Sequence, residues 1–224
     1  MNGIETEPDI RDRKRYRVLI EGVVQGVGFR PHVHRLASEL HLGGSVSNSN
    51  AGVAIDVEGP VAALDSFFSD LTTGLPALAR IDRIRKEPLA PRGLNAFAIL
   101  DSESTAQATA LIPPDIATCA ACLEDIFDPG NRRFRYPFTN CTDCGPRFSI
   151  VESLPYDRPR TTMARFTMCD ACASEYSNPR NRRFHAQPNA CPVCGPRIEL
   201  RDPTGEVVAG AEDSVGAAAE ALRK

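Results

Sequence analysis

Eight cysteines are the residues best suited to chemistry in this sequence, and all of them fall in four Cys-x-x-Cys pairs. In a reducing compartment such pairs are more often metal ligands than disulfides. Four thiolates satisfy a tetrahedral Zn²⁺ ion and leave no open position, so the pairs predict two closed structural zinc sites. Redox dithiols and an iron–sulfur cluster are the less favoured alternatives. The predicted ligands are Cys119, Cys122, Cys141, Cys144, Cys169, Cys172, Cys191 and Cys194.

The cysteine pairs belong to an internal repeat with a period of 50 residues. Residues 119–147 and 169–197 share the pattern Cys-x2-Cys-x18-Cys-x2-Cys-Gly-Pro-Arg, and both contain Asn-Arg-Arg-Phe. The repeat predicts two similar units and favours four consecutive cysteines on each ion, although interleaved pairing stays open. Gly145 and Gly195 are predicted to permit the tight turn at the second pair of each unit. His185 follows the second Arg-Arg-Phe and is interpreted as a packing residue or, less readily, as a replacement ligand.

A glycine-rich turn at residues 22–30, Gly-Val-Val-Gln-Gly-Val-Gly-Phe-Arg, is the second feature with chemical potential. Glycines let successive backbone amides point into one concave space, and a following helix adds the positive end of its dipole. Such a nest binds phosphate without a metal, and an arginine adds a planar fork for two oxygens. The alternative is a turn that needs glycine only to change direction. The predicted phosphate-binding residues are Gln25, Gly26, Val27, Gly28, Phe29 and Arg30.

The elements that must position this turn follow from hydrophobic periodicity. Alternating apolar residues predict strands, and apolar residues three and four apart predict helices. The order strand, helix, strand, strand, helix, strand is that of the ferredoxin-like α+β sandwich. His32, His34 and His41 lie on or just after the first helix, with no catalytic role assigned. The predicted elements are strands at 17–22, 44–48, 53–57, 79–86 and 96–100, and helices at 31–41 and 61–71.

Composition and charge narrow the class of protein. The chain has 224 residues and a net charge of −3, and no apolar stretch reaches the roughly 18 residues that span a bilayer. The start lacks the apolar segment of a signal peptide, so we expect a cytoplasmic protein without membrane contact. In the cysteine-rich part, acidic residues nearly balance the arginines before any Zn(Cys)4 site adds negative charge. Nucleic-acid binding is therefore not expected.

The residues of the first domain resemble the acylphosphatase family. Gly-x-Val-Gln-Gly-Val-x-Phe-Arg matches that family's signature, and Gly44-Ser-Val-Ser-Asn48 matches its second motif, except that Ser45 stands where an aromatic residue is usual. The resemblance implies the acylphosphatase fold, with Arg30 and Asn48 as catalytic residues. Arg30 and the loop amides would hold the phosphoryl oxygens, and Asn48 would hold the attacking water.

The doubled cysteine repeat behind such a domain is similar to the amino-terminal part of the carbamoyltransferases that mature [NiFe]-hydrogenases. That resemblance implies hydrolysis of carbamoyl phosphate here. It also implies ATP-dependent formation of carbamoyl-AMP in a later domain, and transfer of the carbamoyl group to the carboxy-terminal cysteine of a partner maturation protein, for cyanide ligand synthesis. ATP would bind only in that downstream domain. A general acylphosphatase with an accessory zinc module, and an inactive docking scaffold, are the alternatives.

These features together predict the domain organisation, and they favour a fragment of a longer protein. We expect a disordered arm at 1–15, an acylphosphatase-like domain at 16–101, a linker at 102–111 and a zinc-binding domain at 112–201. Residues 202–224, which include an Ala-rich helix, are expected to begin a truncated nucleotide-binding domain of the threonylcarbamoyl-AMP synthase type.

Overall fold

The computed structural model describes residues 12–102, 109–210 and 213–223. The first domain is the predicted α+β sandwich, and the short strand predicted at 96–100 lies at one edge of its sheet. Its elements are β1 (Arg13–Val23), α1 (Phe29–Glu39), β2 (Gly43–Ser49), β3 (Gly52–Pro60), α2 (Val61–Thr73), β4 (Arg80–Leu89) and β5 (Phe97–Ile99).

The sheet has the order β4-β1-β3-β2-β5. The first four strands pair antiparallel, whereas β5 lies parallel to β2. In this order β3 separates β1 from β2, so the connection through α1 crosses over one strand, as in the split βαβ arrangement. Because β1 and β2 are both antiparallel to β3, they run parallel to each other. The turn between β1 and α1 and the last residues of β2 therefore lie at the same end of the sheet, and this brings the glycine-rich turn close to Asn48.

The core of the first domain lies between one face of the sheet and the two helices. Val18 and Ile20 of β1 and Ile55 of β3 are buried, as their alternation with polar residues predicts. They pack with Leu36 of α1 and Phe67 of α2 in one continuous apolar cluster. The strands and helices that carry the glycine-rich turn are thus anchored by a core of their own.

Two predicted boundaries were wrong by a few residues. The strand β1 begins at Arg13, so the predicted arm at 1–15 ends too late, because the side chains of Arg13 and Arg15 pair with Glu58 and Asp56 on the neighbouring strand. The helix α1 begins at Phe29 and not at residue 31. The rest of the predicted arm, residues 1–11, and most of the predicted linker, 103–108, lie outside the described residues.

The cysteine-rich part is built from short elements around its cysteines. Each repeat places a two-turn helix directly after its first cysteine, α3 (Ala120–Phe127) and α4 (Asp170–Ser177). Single 3-10 turns connect the repeats. The buried apolar clusters are small; one is formed by Cys122, Cys141 and Cys144 and another by Tyr136, Met163 and Ala190. This part therefore lacks the large apolar core of the first domain.

The described residues after the second repeat form a two-stranded hairpin and a helix. They are β6 (Leu200–Arg201), β7 (Val207–Ala209) and α5 (Ser214–Arg223), and α5 matches the Ala-rich helix predicted there. No helix in the described part of the chain has both the length and the apolar character needed to cross a bilayer.

Candidate active site and metal centres

The glycine-rich turn forms a nest of unpaired backbone amides. Gly26 and Gly28 have φ of 70° and 77°, in the left-handed region that glycine adopts without strain. Gly28 is also the residue that precedes the first turn of α1. Within the described part of the chain, the backbone amides of residues 26–30 have no hydrogen-bond acceptor. A helix amino terminus with free amides favours an anion, so the turn is a candidate phosphate site.

Arg30 and Asn48 meet beside this turn. Arg30 lies in the first turn of α1 and Asn48 at the end of β2, and both are buried. The Asn48 side-chain nitrogen donates to the carbonyl oxygen of Tyr156 at 2.9 Å. Its oxygen, Oδ1, is buried and has no partner among the described residues. An acceptor in this position is suited to hold a water molecule, because a buried polar atom without a partner is costly.

Arg30 is held by the segment that connects the two cysteine repeats. Its guanidinium pairs with the Asp157 carboxylate at 2.7 Å and donates to the Tyr156 carbonyl oxygen at 3.4 Å. The arginine predicted to bind phosphate is therefore already bound to a carboxylate from the second part of the chain.

Gln25 fixes the position of this connecting segment. Its side-chain nitrogen donates to the carbonyl oxygens of Ser49 at 2.7 Å and Gly52 at 2.8 Å. Its side-chain oxygen accepts a hydrogen bond of 2.8 Å from the backbone amide of Tyr156. The Gln25 side chain thus links the ends of β2 and β3 to Tyr156, and its predicted contact with phosphate stays a prediction.

Arg147 ties the first cysteine repeat to the glycine-rich turn. Its side chain is 2 % exposed and donates to the carbonyl oxygen of Gly26. The same guanidinium donates to the carbonyl oxygens of Thr142 at 2.7 Å, Cys144 at 3.1 Å and Pro146 at 2.9 Å. One arginine thus orients both the turn and the second cysteine pair of the first repeat.

The second repeat contributes the segment His185–Pro188 to the same pocket. His185 contacts the rings of Tyr176 and Phe184, with centroid distances of 4.8 and 4.7 Å. Burial, assisted by the nearby charge of Arg30, lowers the pKa of His185 to about 4, so its imidazole is neutral at pH 7. Burial also raises the pKa of Tyr156 to about 12. These two rings add no charge to the pocket.

The eight cysteines form two separate clusters, each from four consecutive cysteines. Within each cluster the sulfur atoms lie within 4.8 Å of one another, and neighbouring pairs such as Cys141–Cys144 and Cys191–Cys194 are 3.8 and 3.7 Å apart. A tetrahedron of sulfurs with Zn–S bonds of about 2.3 Å has edges of about 3.8 Å. The cysteines therefore fit a tetrahedral ion in each repeat, and the grouping is local. His185 is not a member of either cluster.

Each repeat contributes an arginine that contacts a cysteine of the other repeat. Arg132 of the first repeat donates to the Cys172 sulfur at 3.3 Å and pairs with Glu175. Arg182, fifty positions later, donates to the Cys122 sulfur at 2.8 Å and pairs with Asp125. Positive charge beside the sulfurs stabilises thiolates, the form that binds metal. The repeated Arg-Arg pair thus links the two units, and its positive charge offsets the negative charge of the cysteine thiolates.

Gly195 takes part in a tight turn, as predicted, since its amide donates to the Cys191 carbonyl oxygen at 2.8 Å, but it does so without a positive φ. Gly145 has φ of 96°, but Gly195 is needed for space: a Cβ atom there would lie 2.2 Å from the Tyr136 hydroxyl.

Sequence reasoning missed the residues of the connecting segment and Arg147. Tyr156 and Asp157 lie between the repeats, where no motif marks them, and Tyr156 acts through its backbone. Arg147 is part of a repeated Gly-Pro-Arg, but its equivalent Arg197 is exposed, so the motif alone gives no sign of the difference.

Comparisons with known families agree with this division of the chain. Residues 16–99 match the acylphosphatase family, and residues 118–151 and 168–201 each match the HypF finger family. The two matches to the finger family coincide with the two cysteine repeats.

Individual relatives match the same two parts of the chain. The chain is 50% identical over 154 residues to carbamoyltransferase HypF2 of Cupriavidus necator, covering 68% of this chain and 19% of that protein. It is 38% identical over 87 residues to an acylphosphatase of Thermotoga petrophila, covering 96% of that enzyme. A crystal structure of full-length HypF in a phosphate- and nucleotide-bound form superposes with a TM-score of 0.86 at 39% identity, covering 94% of this chain and 27% of that one. The chain thus spans about a fifth of the length of the curated carbamoyltransferases that it matches.

Proposed function

We propose that this chain hydrolyses carbamoyl phosphate to carbamate and phosphate. The chain belongs to the HypF carbamoyltransferase family and carries that family's amino-terminal acylphosphatase and zinc-finger region. The proposal rests on one arrangement: the glycine-rich turn with its free amides and Arg30 line one pocket, and the Asn48 side chain lies beside it. Arg30 and Asn48 both donate to the Tyr156 carbonyl oxygen, and Asn48 Oδ1 has no partner among the described residues. A site for an anion next to a site for a water molecule is what hydrolysis of an acyl phosphate needs.

In the proposed reaction the loop amides and Arg30 hold the phosphoryl oxygens and stabilise their charge in the transition state. Asn48 Oδ1 accepts a hydrogen bond from a water molecule and aims its oxygen at phosphorus. The new P–O bond forms to this water as the bond to the carbamoyl oxygen breaks, and carbamate leaves as an anion. Protons from the water remain with the phosphate product. A carbamate leaving group needs little protonation, so the site requires no general acid.

Arg30 must change partner during this reaction. In the structure it binds Asp157, and a phosphoryl group has to replace at least part of that ion pair. The cost of separating a half-buried pair is recovered because a phosphoryl group offers Arg30 more oxygens and more charge than a carboxylate does.

For the two cysteine clusters we propose Zn²⁺ as the bound ion. Zinc, when bound, would supply structural cross-links and no open coordination position, since each cluster already offers four sulfurs. The chain's own contribution is then to hold Arg147, Tyr156 and Asp157 against the glycine-rich turn.

For the longer protein we propose the remaining steps that the resemblance to hydrogenase-maturing carbamoyltransferases implies. Carbamate would react with ATP to give carbamoyl-AMP and pyrophosphate. The carbamoyl group would then pass to the carboxy-terminal cysteine of a partner maturation protein, with release of AMP, for the cyanide ligand of a [NiFe]-hydrogenase. Within the present chain we propose domains at 16–101 and 112–201. We further propose that residues 202–224 begin the nucleotide-binding domain.

Release of inorganic phosphate from carbamoyl phosphate tests the proposal directly. Loss of one donor to developing charge typically slows catalysis by about 10² to 10³, so Arg30→Ala and Asn48→Ala should each lower kcat/KM by at least about 100-fold. Arg17→Ala and Asn95→Ala are matched controls, because both side chains are exposed and outside the pocket.

Three outcomes separate the candidate functions. Loss of phosphate release in the two site variants alone supports the proposal. Equal use of many acyl phosphates would favour a general acylphosphatase. Absence of any hydrolysis, with the two variants behaving like the original protein, would leave a docking scaffold.

A further inference from the structure

The pocket beside Arg30 is built from both parts of the chain. The glycine-rich turn and the start of α1 form one side, and Thr142, Arg147, Tyr156 and the segment His185–Pro188 form the other. The pocket is partly open to solvent, and its free volume is about 20 Å³. Pockets for drug-sized ligands hold roughly 300–1,000 Å³, so this one has room only for a compact group. An acyl phosphate bound at the turn would have its acyl group against the cysteine-rich part.

We call one part of this second side, Tyr156 and the segment His185–Pro188, the acyl wall. Hydrogen bonds fix it firmly. The Gln187 side chain accepts from the Arg158 amide at 2.7 Å and donates to the His185 carbonyl oxygen at 2.7 Å. The Arg158 guanidinium donates to the carbonyl oxygens of Gln187 at 2.6 Å and Asn189 at 2.9 Å. With its polar groups paired in this way, the acyl wall resists displacement by a large ligand.

His185 is the side chain of the acyl wall that can be changed without removing these bonds. It has φ of 53°, in the left-handed region that histidine, like Asn and Asp, adopts more readily than most residues, and its ring packs against Tyr176 and Phe184. The hydrogen bonds of Gln187 and Arg158 use only the backbone carbonyl of His185. Because its imidazole is neutral, it limits the space of the pocket without attracting or repelling the phosphoryl charge.

We propose that the cysteine-rich part forms the acyl-binding side of the acylphosphatase pocket, and that His185 limits the pocket to small acyl groups. Carbamoyl and acetyl phosphates fit such a limit, whereas the six-carbon ring of benzoyl phosphate does not. This inference rests on the proposed function and names the part of that site which selects the substrate. His185 acts here as a specificity-determining residue.

The test compares carbamoyl phosphate with benzoyl phosphate in the 224-residue chain and in His185→Gly. Glycine keeps the backbone conformation and removes the ring. The original chain should favour carbamoyl phosphate in kcat/KM by at least about 100-fold, and His185→Gly should reduce that preference at least about tenfold, because a few carbon atoms in a fitted pocket change specificity by about 10- to 200-fold.

Arg135→Gly is the matched control. Arg135 occupies the equivalent position of the first repeat, has φ of 58°, and is exposed outside the pocket. Its backbone amide donates to the Ile126 carbonyl oxygen, as the His185 amide donates to that of Tyr176. The control should leave the preference unchanged within twofold. His185→Asn, which also tolerates a positive φ, gives a second variant if the glycine variant folds poorly.

Equal kcat/KM values for both substrates in the original chain would overturn the proposal. An equal change of the substrate preference in His185→Gly and Arg135→Gly would also overturn it. Binding of methylphosphonate and benzylphosphonate, measured by calorimetry, separates this failure from failure of the proposed function. One outcome is that neither substrate is hydrolysed, that methylphosphonate binds more tightly than benzylphosphonate, and that His185→Gly reduces this difference in affinity. The role of the acyl wall in selecting small groups would then be supported, and the assignment as a hydrolase would be refuted. If neither phosphonate binds, the pocket is not an anion site and the inference falls with it.

Discussion

Replacement of Arg147 by alanine should separate the cysteine-rich part from the glycine-rich turn. The Arg147 side chain is buried and donates to four backbone carbonyl oxygens, one of which belongs to Gly26. A hydrogen bond from a charged donor contributes about 1.5–3 kcal/mol, and a buried acceptor left unpaired costs about 1–3 kcal/mol. Some of the four oxygens regain a partner when water enters the space left by the side chain. We therefore expect a total loss of about 3 to 5 kcal/mol, well below the sum of four independent terms.

Urea unfolding of the zinc-loaded chain, followed by far-UV circular dichroism, measures this loss, since the chain contains no tryptophan. With an m-value of about 1–3 kcal/mol per molar urea, the midpoint should fall by at least about 1 M. The matched control is Arg197→Ala. This residue holds the same place in the second repeat, but it is exposed and has no side-chain hydrogen bond among the described residues. The Arg197→Ala substitution should lower the free energy of unfolding by less than about 0.5 kcal/mol.

Catalysis gives a second measure of the same contact. If Arg147 orients the Gly26 carbonyl, and with it the amides of the glycine-rich turn, its loss should raise KM for carbamoyl phosphate more than Arg197→Ala does. A difference below about 1 kcal/mol between the two variants in unfolding, together with equal KM values, would refute the assignment of Arg147 as the link between the two parts.

Three further predictions concern charge and metal. Asp157→Asn should tighten binding of inorganic phosphate about tenfold by calorimetry, because Arg30 no longer pairs with a carboxylate; weaker binding would mean that Asp157 is needed to orient Arg30. Treatment with a strong chelator should release two equivalents of zinc per chain and unfold the cysteine-rich part, since zinc contributes about 10–16 kcal/mol to folding at such sites. The circular dichroism signal of the β-sheet in the first domain should persist. Release of one equivalent, or no change in structure, would contradict this prediction. Burial alone would raise the pKa of Glu58, but hydrogen bonds from Arg13 and from the amides of Arg92, Gly93 and Leu94 lower it overall. The ionised Glu58 carboxylate therefore stabilises the fold above pH 4.5, and this contribution is lost as pH falls. The Glu58→Gln variant should lose less free energy of unfolding between pH 7 and pH 3 than the original chain. An equal loss in both proteins would contradict a stabilising role of this carboxylate.

The fold of the first domain could be predicted because its strands alternate cleanly. Val53, Ile55 and Val57 are buried, while the residues between them face the other side of the sheet. The boundaries were less accurate, since β1 continues to Arg13 through strand pairing with β3 and through ion pairs of Arg13 and Arg15. Those pairs depend on strand register, which the hydrophobic pattern of a single strand does not contain.

The cysteine clusters could also be predicted, because ligand spacing is a local property of the sequence. The contact between the two parts could not. It depends on backbone groups, the amide and carbonyl of Tyr156 and the carbonyl of Gly26, which have no sequence signature. Arg147 and Arg197 occupy identical motifs, yet only the first is buried, because only the first repeat presents that arginine to the glycine-rich turn. A repeat pattern predicts that two units are alike and not how each is placed.

The most direct test of the central claim is a crystal structure of this chain with inorganic phosphate bound. We predict that phosphate lies against the amides of residues 26–30, that Arg30 turns from Asp157 to two of its oxygens, and that a water molecule rests on Asn48 Oδ1. Crystals grown at a saturating phosphate concentration in which the glycine-rich turn holds no anion, and Arg30 still pairs with Asp157, would contradict the account.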